Sequence, residues 1–358
     1  MPTIHEVAKE AGVSPTTVSR SFSEEDLINP ETRKRVLEAA KRLNYRPPRV
    51  RARAAKALQA REVKSQRVLG FQFFAPSEAA SIHTDAFYAP LLAGSQAESD
   101  VQGVQLMLSS TTRHALAYGL PRMVRESMVD GMLLVGTADQ PVLTEFLARV
   151  PVIVMVDNRD SAKRYDCIVS NGIQGASEGV EYLSKLGHRR IAFVMSEAQT
   201  STFQDRLTGY MVALTKSGRG IDQSLIVSAV SRDDFTAKVQ ALLTLPSDRR
   251  PTALMAANDP HAYTVFQICH AMGLRIPEDI SVLGFDDDRY STMSCPPLTT
   301  LRVDSEYMGR LAVRRLQARL DEASRLKADG SPNRPEPPVE IDVPVSLIER
   351  DSCRAVAG

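Results

Sequence analysis

The side chains with the clearest chemistry lie near the N-terminus, in a short segment that could read the edges of DNA bases. Pro15, Thr16, Thr17 and Arg20 fall at or near the start of a predicted short helix. Hydroxyl and guanidinium groups can hydrogen-bond to base edges in the major groove. The sequence therefore predicts contact with double-stranded DNA, and further candidates for this contact lie on either side: Thr3, Ser14, Ser19 and Asn29.

Two short helices joined by a glycine turn would position these side chains. Thr3 and Glu6 have the spacing of a capping box, so a first helix can begin directly after Thr3. Gly12 can adopt the positive φ that ends this helix, and Ser14 with Pro15 can start a second one. Such a pair forms a helix-turn-helix, whose second helix enters the major groove. The alternative is a small helical bundle with no role in DNA binding.

The charge distribution separates a basic head from an acidic body. The 358-residue chain has a net charge of only +1, but residues 1–67 carry 15 Lys and Arg against 8 Asp and Glu. The rest of the chain carries 29 basic and 35 acidic residues. Affinity for phosphate groups should therefore reside in the head, including an Arg-rich linker at 46–67 that we expect to fold into a helix on DNA.

The body alternates short apolar runs with amphipathic segments, in two successive series. The runs cover 68–74, 104–108, 131–135 and 152–156, then 191–195, 225–229, 253–256 and 281–285. This alternation is typical of parallel sheets covered by helices on both faces. We predict an α/β fold with two doubly wound parallel-sheet lobes, whose ligands bind beyond the carboxyl ends of the strands.

The domain organisation follows from these patterns. We predict a helix-turn-helix DNA-binding domain at 1–46, a basic hinge at 47–67, a two-lobed effector-binding and dimerisation domain at 68–350, and a tail at 351–358. A last strand-like run covers 341–348. The chain has no C-terminal leucine heptad that could build a tetramer, so we expect a homodimer.

Composition and motifs argue against an enzyme, a metalloprotein and a membrane protein. No apolar run is long enough to span a membrane and no signal peptide precedes the head, so we expect a cytoplasmic protein. The four Cys are widely spaced and, with the six His, form no metal-binding pattern. Phosphate-binding loops, dinucleotide fingerprints and hydrolase elbows do not occur. We therefore expect no catalytic residue, no metal and no cofactor.

Nearly the whole chain resembles the LacI/GalR (lactose repressor-like) family of transcription regulators. The head resembles the family signature T-I-x-D-V-A-x-x-A-G-V-S-x-x-T-V-S-R, with Glu6 in place of the usual Asp. The body is similar to family motifs at 186–193, 206–210, 250–253, 257–259, 276–287, 296–301 and 347–352. Several of these matches are long enough to be specific.

This resemblance implies the function of the chain. It implies a homodimeric repressor that binds a near-palindromic operator and is switched by a small-molecule effector in the interlobe cleft. We expect the effector to be a carbohydrate, either a sugar or a sugar derivative. Two alternatives remain open for the same fold: control by a purine-like ligand and control by a partner protein.

The resemblance also implies a hinge helix with a leucine that wedges into the minor groove at the operator centre. Leu58, in the A-K-A-L segment at 55–58, is the candidate, and Arg53 and Lys56 are the accompanying DNA contacts. About four extra residues precede this segment compared with the family pattern. An alternative register places Arg53 in the motif and Ala55 in the leucine position. Leu58 could also pack only against its two-fold mate.

Effector contacts are assigned, by the same resemblance, to side chains at strand ends. Arg206 matches a position whose guanidinium grips the ligand, although it could be an ordinary surface residue of a helix. Asp286 can accept from two vicinal hydroxyls, and Asn258 can both donate and accept. Asp160 would face them across the cleft. An apolar wall for a sugar ring or a purine would come from four aromatic residues: Phe73, Phe74, Phe87 and Tyr88.

Some of these residues have a structural interpretation instead. Phe73 and Phe74 are adjacent along a strand and point to opposite faces, so at least one belongs to the core. Asp259 is expected to cap the helix that follows, a role that Asn258 could also take. The neighbouring Asp287 and Asp288 are expected in a solvated turn.

Overall fold

The computed structural model describes residues 3–22, 28–43, 45, 66–77, 80–112, 119–196, 200–328 and 336–356. These residues belong to two units. One comprises the chain up to Arg67 together with Pro121–Met128, and the other comprises Val68–Leu120 and the chain from Val129 onward. The predicted hinge contacts, Arg53, Lys56 and Leu58, lie outside the described residues, so the hinge helix and both of its registers stay predictions.

Three helices form the head: α1 over Ile4–Ala11, α2 over Pro15–Ser21 and α3 over Pro30–Arg42. The predicted capping box is present, because the Glu6 amide donates to the Thr3 hydroxyl (3.3 Å) and the Thr3 amide donates to the Glu6 carboxylate (2.6 Å). Gly12 has a φ of +65°, which allows the chain to reverse before α2. The helices pack through fully buried side chains: Val7, Val18 and Val36.

The second unit contains twelve strands in its described residues. They are β1 Val68–Ala75, β2 Gln105–Thr112, β3 Gly131–Val135, β4 Ile153–Val156, β5 Asp166–Ser170, β6 Ile191–Ser196, β7 Ile226–Ala229, β8 Ala253–Ala256, β9 Ser281–Asp286, β10 Thr299–Val303, β11 Glu340–Val343 and β12 Val345–Ile348. One six-stranded sheet has the order β11-β5-β4-β3-β1-β2, and the other has the order β12-β10-β9-β8-β6-β7. The two sheets define the first and the second lobe, which confirms the predicted α/β fold.

The run at 341–348 is a correction to the sequence interpretation. It forms two strands in different sheets, because Pro344 separates them and cannot donate a ladder hydrogen bond. β11 pairs in parallel with β5 in the first lobe, so that sheet is parallel throughout. β12 pairs antiparallel with β10, so the second sheet carries one antiparallel edge strand.

The second unit also contains seven helices in its described residues: α4 Tyr88–Val101, α6 Gln140–Leu147, α7 Gly172–Lys185, α8 Ser201–Lys216, α9 Arg232–Leu243, α10 Asp259–Ala271 and α11 Ser305–Ala328. The short helix between the first two of these, α5 Arg122–Arg125, belongs to the first unit. α7 follows a first-lobe strand but packs on second-lobe strands, and α11 follows a second-lobe strand but packs on first-lobe strands. The chain therefore crosses between the lobes through α7, through α11 and between β11 and β12.

Close helix contacts at glycine fix the position of α8. A Cβ atom on Gly209 would lie 2.2 Å from the carbonyl oxygen of Ile173, so only glycine allows α8 to approach α7 so closely. The neighbouring Tyr210 is fully buried and donates its hydroxyl to the Ile191 carbonyl at 2.8 Å. These two contacts hold the first half of α8, with Arg206 on it, against the end of the second-lobe sheet.

Candidate functional site

The candidate DNA-reading residues of the head are grouped around the start of α2. Ser14 caps this helix, since the Thr17 amide donates to its hydroxyl at 3.1 Å. Asn29 caps α3 in the same way, accepting from the Glu31 amide at 2.9 Å. The side-chain oxygens of Thr3, Ser14 and Asn29 are therefore already used as helix caps.

Two other candidates keep their polar groups available. Thr16 and Arg20 are exposed and lie one helical turn apart on α2, and their side chains make no hydrogen bond with the described residues. Pro15 and Thr17 are half-buried beside them, and Ser19 is exposed on the same helix. Thr16 and Arg20 are thus the best placed of the predicted side chains to reach base edges.

A cavity of about 150 Å³ lies between the lobes, at the carboxyl ends of strands from both sheets. Its wall combines the loop before α4, the loop after β4, the start of α8 and the loops after β8 and β9. The lining residues are Asp85, Ala86, Phe87, Tyr88, Asp157, Thr200, Thr202, Phe203, Arg206, Asn258, Pro260, Asp286 and Asp288. Five of the eight predicted effector residues are among them: Phe87, Tyr88, Arg206, Asn258 and Asp286.

Arg206 and Asp286 form a buried ion pair in this wall. The Arg206 guanidinium donates from Nη2 to the Asp286 carboxylate at 2.8 Å and from Nη1 to the Ala257 carbonyl. Its central carbon lies 3.8 Å from the centre of the Phe285 ring. Arg206 is only 2% exposed, which excludes the alternative of an ordinary surface residue. Its Nε has no hydrogen-bond partner among the described residues.

On the first-lobe side of the cavity, the acidic residues are Asp85 and Asp157. Asp85 accepts from the amides of Phe87 and Tyr88, whereas Asp157 accepts a hydrogen bond from the Tyr88 hydroxyl at 2.6 Å. The predicted Asp160 lies outside the wall, because its carboxylate is bonded to the Arg164 side chain and to the amides of Arg164 and Ala162. This corrects the predicted cross-cleft contact: the turn after β4, with Asp157 at a φ of +57°, directs the earlier aspartate into the cleft.

The aromatic wall is also revised. Phe87 and Tyr88 line the cavity, as does Phe203, which sequence reasoning missed. Phe73 is buried behind Tyr88, with ring centres 4.9 Å apart. Phe74 points to the other face of the sheet and packs against Phe146 at 5.4 Å. Phe73 and Phe74 therefore belong to the core, which corrects their predicted place in the wall.

The loop after β8 holds Asn258 in two roles. Its carbonyl oxygen accepts from the His261 amide at 3.1 Å, so Asn258, and not Asp259, caps α10. The same oxygen contacts His261 Nδ1, while His261 Nε2 accepts from the Ser196 amide at 3.0 Å. The Nδ1 of His261 therefore carries the proton and donates to Asn258. Asn258 also lines the cavity.

The acidic residues after β8 and β9 are more buried than a solvated turn would be. Asp259 is fully buried and accepts from the Thr300 hydroxyl at 2.6 Å and from the Asp288 amide at 2.9 Å. Asp287 is ion-paired with Arg302 at 2.6 Å. Asp288 is also buried, and it accepts from the Tyr263 hydroxyl. The expected solvated turn at Asp287 and Asp288 is therefore wrong.

Burial alters the acidity of the groups in this wall. Loss of solvation raises the pKa of Asp286 to about 7, although the Arg206 guanidinium opposes the rise. Loss of solvation also raises the pKa of Asp157 to about 6, against the opposing hydrogen bond from Tyr88. Burial lowers the pKa of His261 to about 4, so its ring is neutral at physiological pH. The wall thus holds carboxyl groups that can exchange protons near neutrality.

The described residues contain no cluster of three or more His, Cys, Asp or Glu side chains arranged to hold a metal ion. None of their helices has the length and apolar character needed to cross a bilayer.

Family models match both parts of the chain. Residues 3–48 match the model described as bacterial regulatory proteins, lacI family, and residues 180–353 match the periplasmic binding protein-like domain. The HTH-type transcriptional repressor PurR of Aliivibrio fischeri (strain MJ11) is 31% identical over 330 residues, which cover 89% of this chain and 92% of the relative. The HTH-type transcriptional regulator DegA of Bacillus subtilis (strain 168) is 27% identical, over 86% and 88% of the two chains.

Solved structures agree with these matches. The transcriptional regulator CelR in complex with cellobiose has a TM-score of 0.68 and 26% identity, over 98% of this chain and all of the other. The lac repressor dimer bound to operator and the anti-inducer ONPF has a TM-score of 0.64 and 24% identity, over 99% of both chains, which shows a shared fold.

Proposed function

This chain belongs to the lacI family of bacterial regulatory proteins, and from that premise we propose that it is a homodimeric repressor whose DNA binding is switched by a small molecule in the interlobe cleft. Members of this family are DNA-binding transcription regulators and not enzymes. The observation that carries the proposal is the coexistence, in one chain, of an exposed recognition helix and a polar cavity between two lobes.

Helix α2 supports the first part of the proposal, which is binding to operator DNA. Thr16 and Arg20 present free polar groups at its exposed surface, and the head carries the positive charge of the chain. A two-fold axis would place two such helices on two half-sites of a near-palindromic operator. The related lac repressor, solved as a dimer on its operator, supports this arrangement for the present chain.

The interlobe cleft supports the second part of the proposal, which is binding of a small-molecule effector. Arg206, Asp286, Asp157 and Asn258 supply donors and acceptors, and Phe87 with Phe203 supplies apolar surface. This mixture suits a sugar, whose ring has apolar faces and a polar rim of hydroxyl groups. CelR was solved with cellobiose, which supports a carbohydrate effector here. A purine-like ligand remains the second candidate, because the same aromatic rings could stack on a base.

One experiment with the full chain tests both operator binding and the effector response. Selection of bound sequences from a random DNA pool should yield a near-palindrome, and the selected duplex then serves as the probe for titrations with sugars and with nucleobases. We expect tight binding of the duplex and a change in its affinity when an effector is added. Enrichment of no symmetric sequence would overturn the dimeric operator model. A duplex affinity that responds only to a co-purified protein would replace the small-molecule effector with a partner.

A further inference from the structure

The cavity wall carries an excess of negative charge. Four carboxylates line it, from Asp85, Asp157, Asp286 and Asp288, whereas Arg206 supplies the one cationic side chain among its described lining residues. Arg206 is already bonded to Asp286. Asp157 therefore has no cationic partner within bonding distance among the described residues, and its hydrogen bond comes from the neutral Tyr88 hydroxyl.

A neighbouring groove extends this acidic surface. It has a volume of about 400 Å³ and shares Asp85, Phe87, Asp286 and Asp288 with the cavity. Its other charged lining residues are Asp287, Asp304, Glu306, Arg289 and Arg302. Arg302 is ion-paired with Asp287, so it neutralises a charge that is already within the groove. The described residues of the cavity and groove together thus present an acidic surface large enough for more than one chemical group of a ligand.

Arg206 cannot offset the other carboxylates of the wall. It is 98% buried by its neighbours, and its guanidinium donates to the Asp286 carboxylate and to the Ala257 carbonyl. Its Nε has no hydrogen-bond partner among the described residues and is enclosed by protein. The positive charge in the wall is therefore committed to Asp286.

A buried carboxylate without a cationic partner is costly. Burying an ionised carboxylate is strongly unfavourable unless an opposite charge accompanies it, and the group otherwise takes up a proton. Burial raises the pKa of Asp157 in this way, and it also raises the pKa of Asp286, although the Arg206 partner opposes that rise. A cationic group on a ligand would favour the ionised state of both side chains, whereas an anionic ligand would add to the repulsion.

We propose that the cleft selects an effector that carries a protonated amine beside hydroxyl groups, as an amino sugar does, and that it rejects phosphorylated and carboxylated sugars. The inference rests on the proposed function, because it names the ligand class of the same cleft. The ammonium group donates to Asp157, which has no cationic partner within bonding distance among the described residues. Charge thereby adds specificity to a wall that could otherwise accept any small sugar.

The test uses sugars that differ only in charge. Thermal-shift and calorimetric titrations of the full chain compare glucosamine, galactosamine and mannosamine with glucose, galactose and mannose, and with their N-acetylated and 6-phosphorylated forms. We expect at least one amine to bind about tenfold or more tightly than its neutral parent, since a hydrogen bond to a charged group contributes about 1.5–3 kcal/mol. Acetylation should abolish this gain.

Several outcomes would reject the proposal. They are equal binding of an amine and its neutral parent, tightest binding by a phosphorylated sugar, and absence of binding by every amine at millimolar concentration. The first two would leave the proposed function intact, because a sugar effector would still have been found. Failure of every small molecule, including nucleobases, to alter operator binding would instead overturn the proposed function itself.

Proton release gives a second readout. Asp157 is faced by Asp85 and Tyr88 from the α4 side and by Arg206 from α8. Asp286 is faced by Arg206, Asp157 and Asp288. Because an ammonium group favours the ionised carboxylates, glucosamine binding should release protons and tighten by up to about tenfold per pH unit for each proton as the pH rises from about 5 to about 7. An affinity that is constant over this range would contradict the proposal.

A matched pair of variants locates the effect. Asp157→Asn keeps the shape and the oxygen that accepts from Tyr88 but removes the charge, so it should reduce amine binding to the level of the neutral parent. Asp248→Asn makes the same chemical change in the exposed turn after α9 and should have no effect. Equal preference for the amine in both variants would place its recognition elsewhere.

Discussion

Arg159 of the first lobe and Asp205 of the second form an ion pair, with 2.9 Å between Nε and Oδ2. Asp205 directly precedes Arg206 on α8, so the pair joins the lobes beside the cavity. Arg159 also pairs with Asp342 at 2.8 Å and with Glu340, both on first-lobe strand β11. The Arg159 guanidinium, in the loop after β4, therefore links two other elements. One is β11, after which the chain crosses to the second lobe, and the other is α8, the helix that carries Arg206.

Removing the ion pair between Arg159 and Asp205 should weaken effector binding and lower stability by similar amounts of free energy. Asp205→Asn is expected to lower the free energy of unfolding by about 1 kcal/mol, because both side chains are partly exposed. An arrangement with closed lobes would lose one stabilising contact, so apparent effector affinity should fall by about fivefold. Calorimetric titration of the effector measures this change.

Asp342→Asn is the matched control, since it removes an ion pair of Arg159 within the first lobe and leaves the interlobe pair with Asp205 in place. Its effect on effector affinity should be small. An equal loss of affinity in both variants would mean that the cluster acts on the first lobe alone and does not couple the lobes.

If α2 contacts base edges, substitutions on this helix should reduce DNA affinity by an amount that depends on the DNA sequence. Thr16→Ala and Arg20→Ala should each weaken operator binding by about 1–3 kcal/mol, because each removes a group that can bond to a base edge. Binding to random DNA should change much less. Fluorescence anisotropy with operator and scrambled duplexes at one salt concentration measures both, and Lys34→Ala, on the exposed face of α3, serves as the control for lost positive charge. Equal losses on both duplexes would leave these residues with a phosphate role only.

Much of the fold could be predicted from sequence because its signals are local. Thr3 and Glu6 show the capping box, and the apolar runs of both lobes become strands with ends shifted by one residue or a few. The split at Pro344 was missed, because the apolar pattern on either side is the same and only the sheet that each half joins differs. Local patterns thus give the elements but not the partner of each strand.

The cleft was harder to predict because its wall gathers distant segments. Choosing Asp160 over Asp157 required knowing the turn after β4, where Asp157 has a positive φ. Phe203 lies outside any strand end, and its place in the wall depends on how α8 packs on α7. Arg206 and Asp286 were found only because a family resemblance supplies positions that are 80 residues apart. Tertiary packing, not local pattern, decides these contacts.

The buried pair in the cleft should be needed for the effector response and not for DNA binding. Asp286→Asn keeps the shape of the wall but removes the charge that Arg206 binds, so the effector should no longer change operator affinity. Arg206→Ala should also abolish the response, and it should destabilise the protein by about 3–5 kcal/mol because it leaves a buried carboxylate without its partner. Operator binding in the absence of effector should persist in the Asn variant. An unchanged effector titration in both variants would contradict the assignment of this cleft.

The raised pKa of Asp286 predicts how the thermal stability of the Asp286→Asn variant changes with pH relative to that of the wild type. A carboxyl group that titrates near 7 in the folded protein, and near 4 when unfolded, binds more protons in the folded state between these values. Folding stability from this group is therefore fully present at about pH 4 and declines as pH rises to about 7, by up to about 1.4 kcal/mol per pH unit. Asp286→Asn removes this decline, so the variant should gain Tm relative to the wild type as pH rises. Parallel Tm curves for the two proteins would show that Asp286 is ionised throughout.

The lengthened hinge gives the last prediction, which concerns residues outside those that the structure describes. If Leu58 wedges into the minor groove, Leu58→Ala should reduce both operator affinity and DNA bending, because unstacking of the central base step would be lost. Bend angles from energy transfer between dyes at the operator ends measure the second effect. In the alternative register, with Ala55 in the leucine position, Leu58→Ala leaves the bend unchanged and Ala55→Leu increases it. A normal bend in Leu58→Ala together with a larger one in Ala55→Leu would therefore replace the first register with the second.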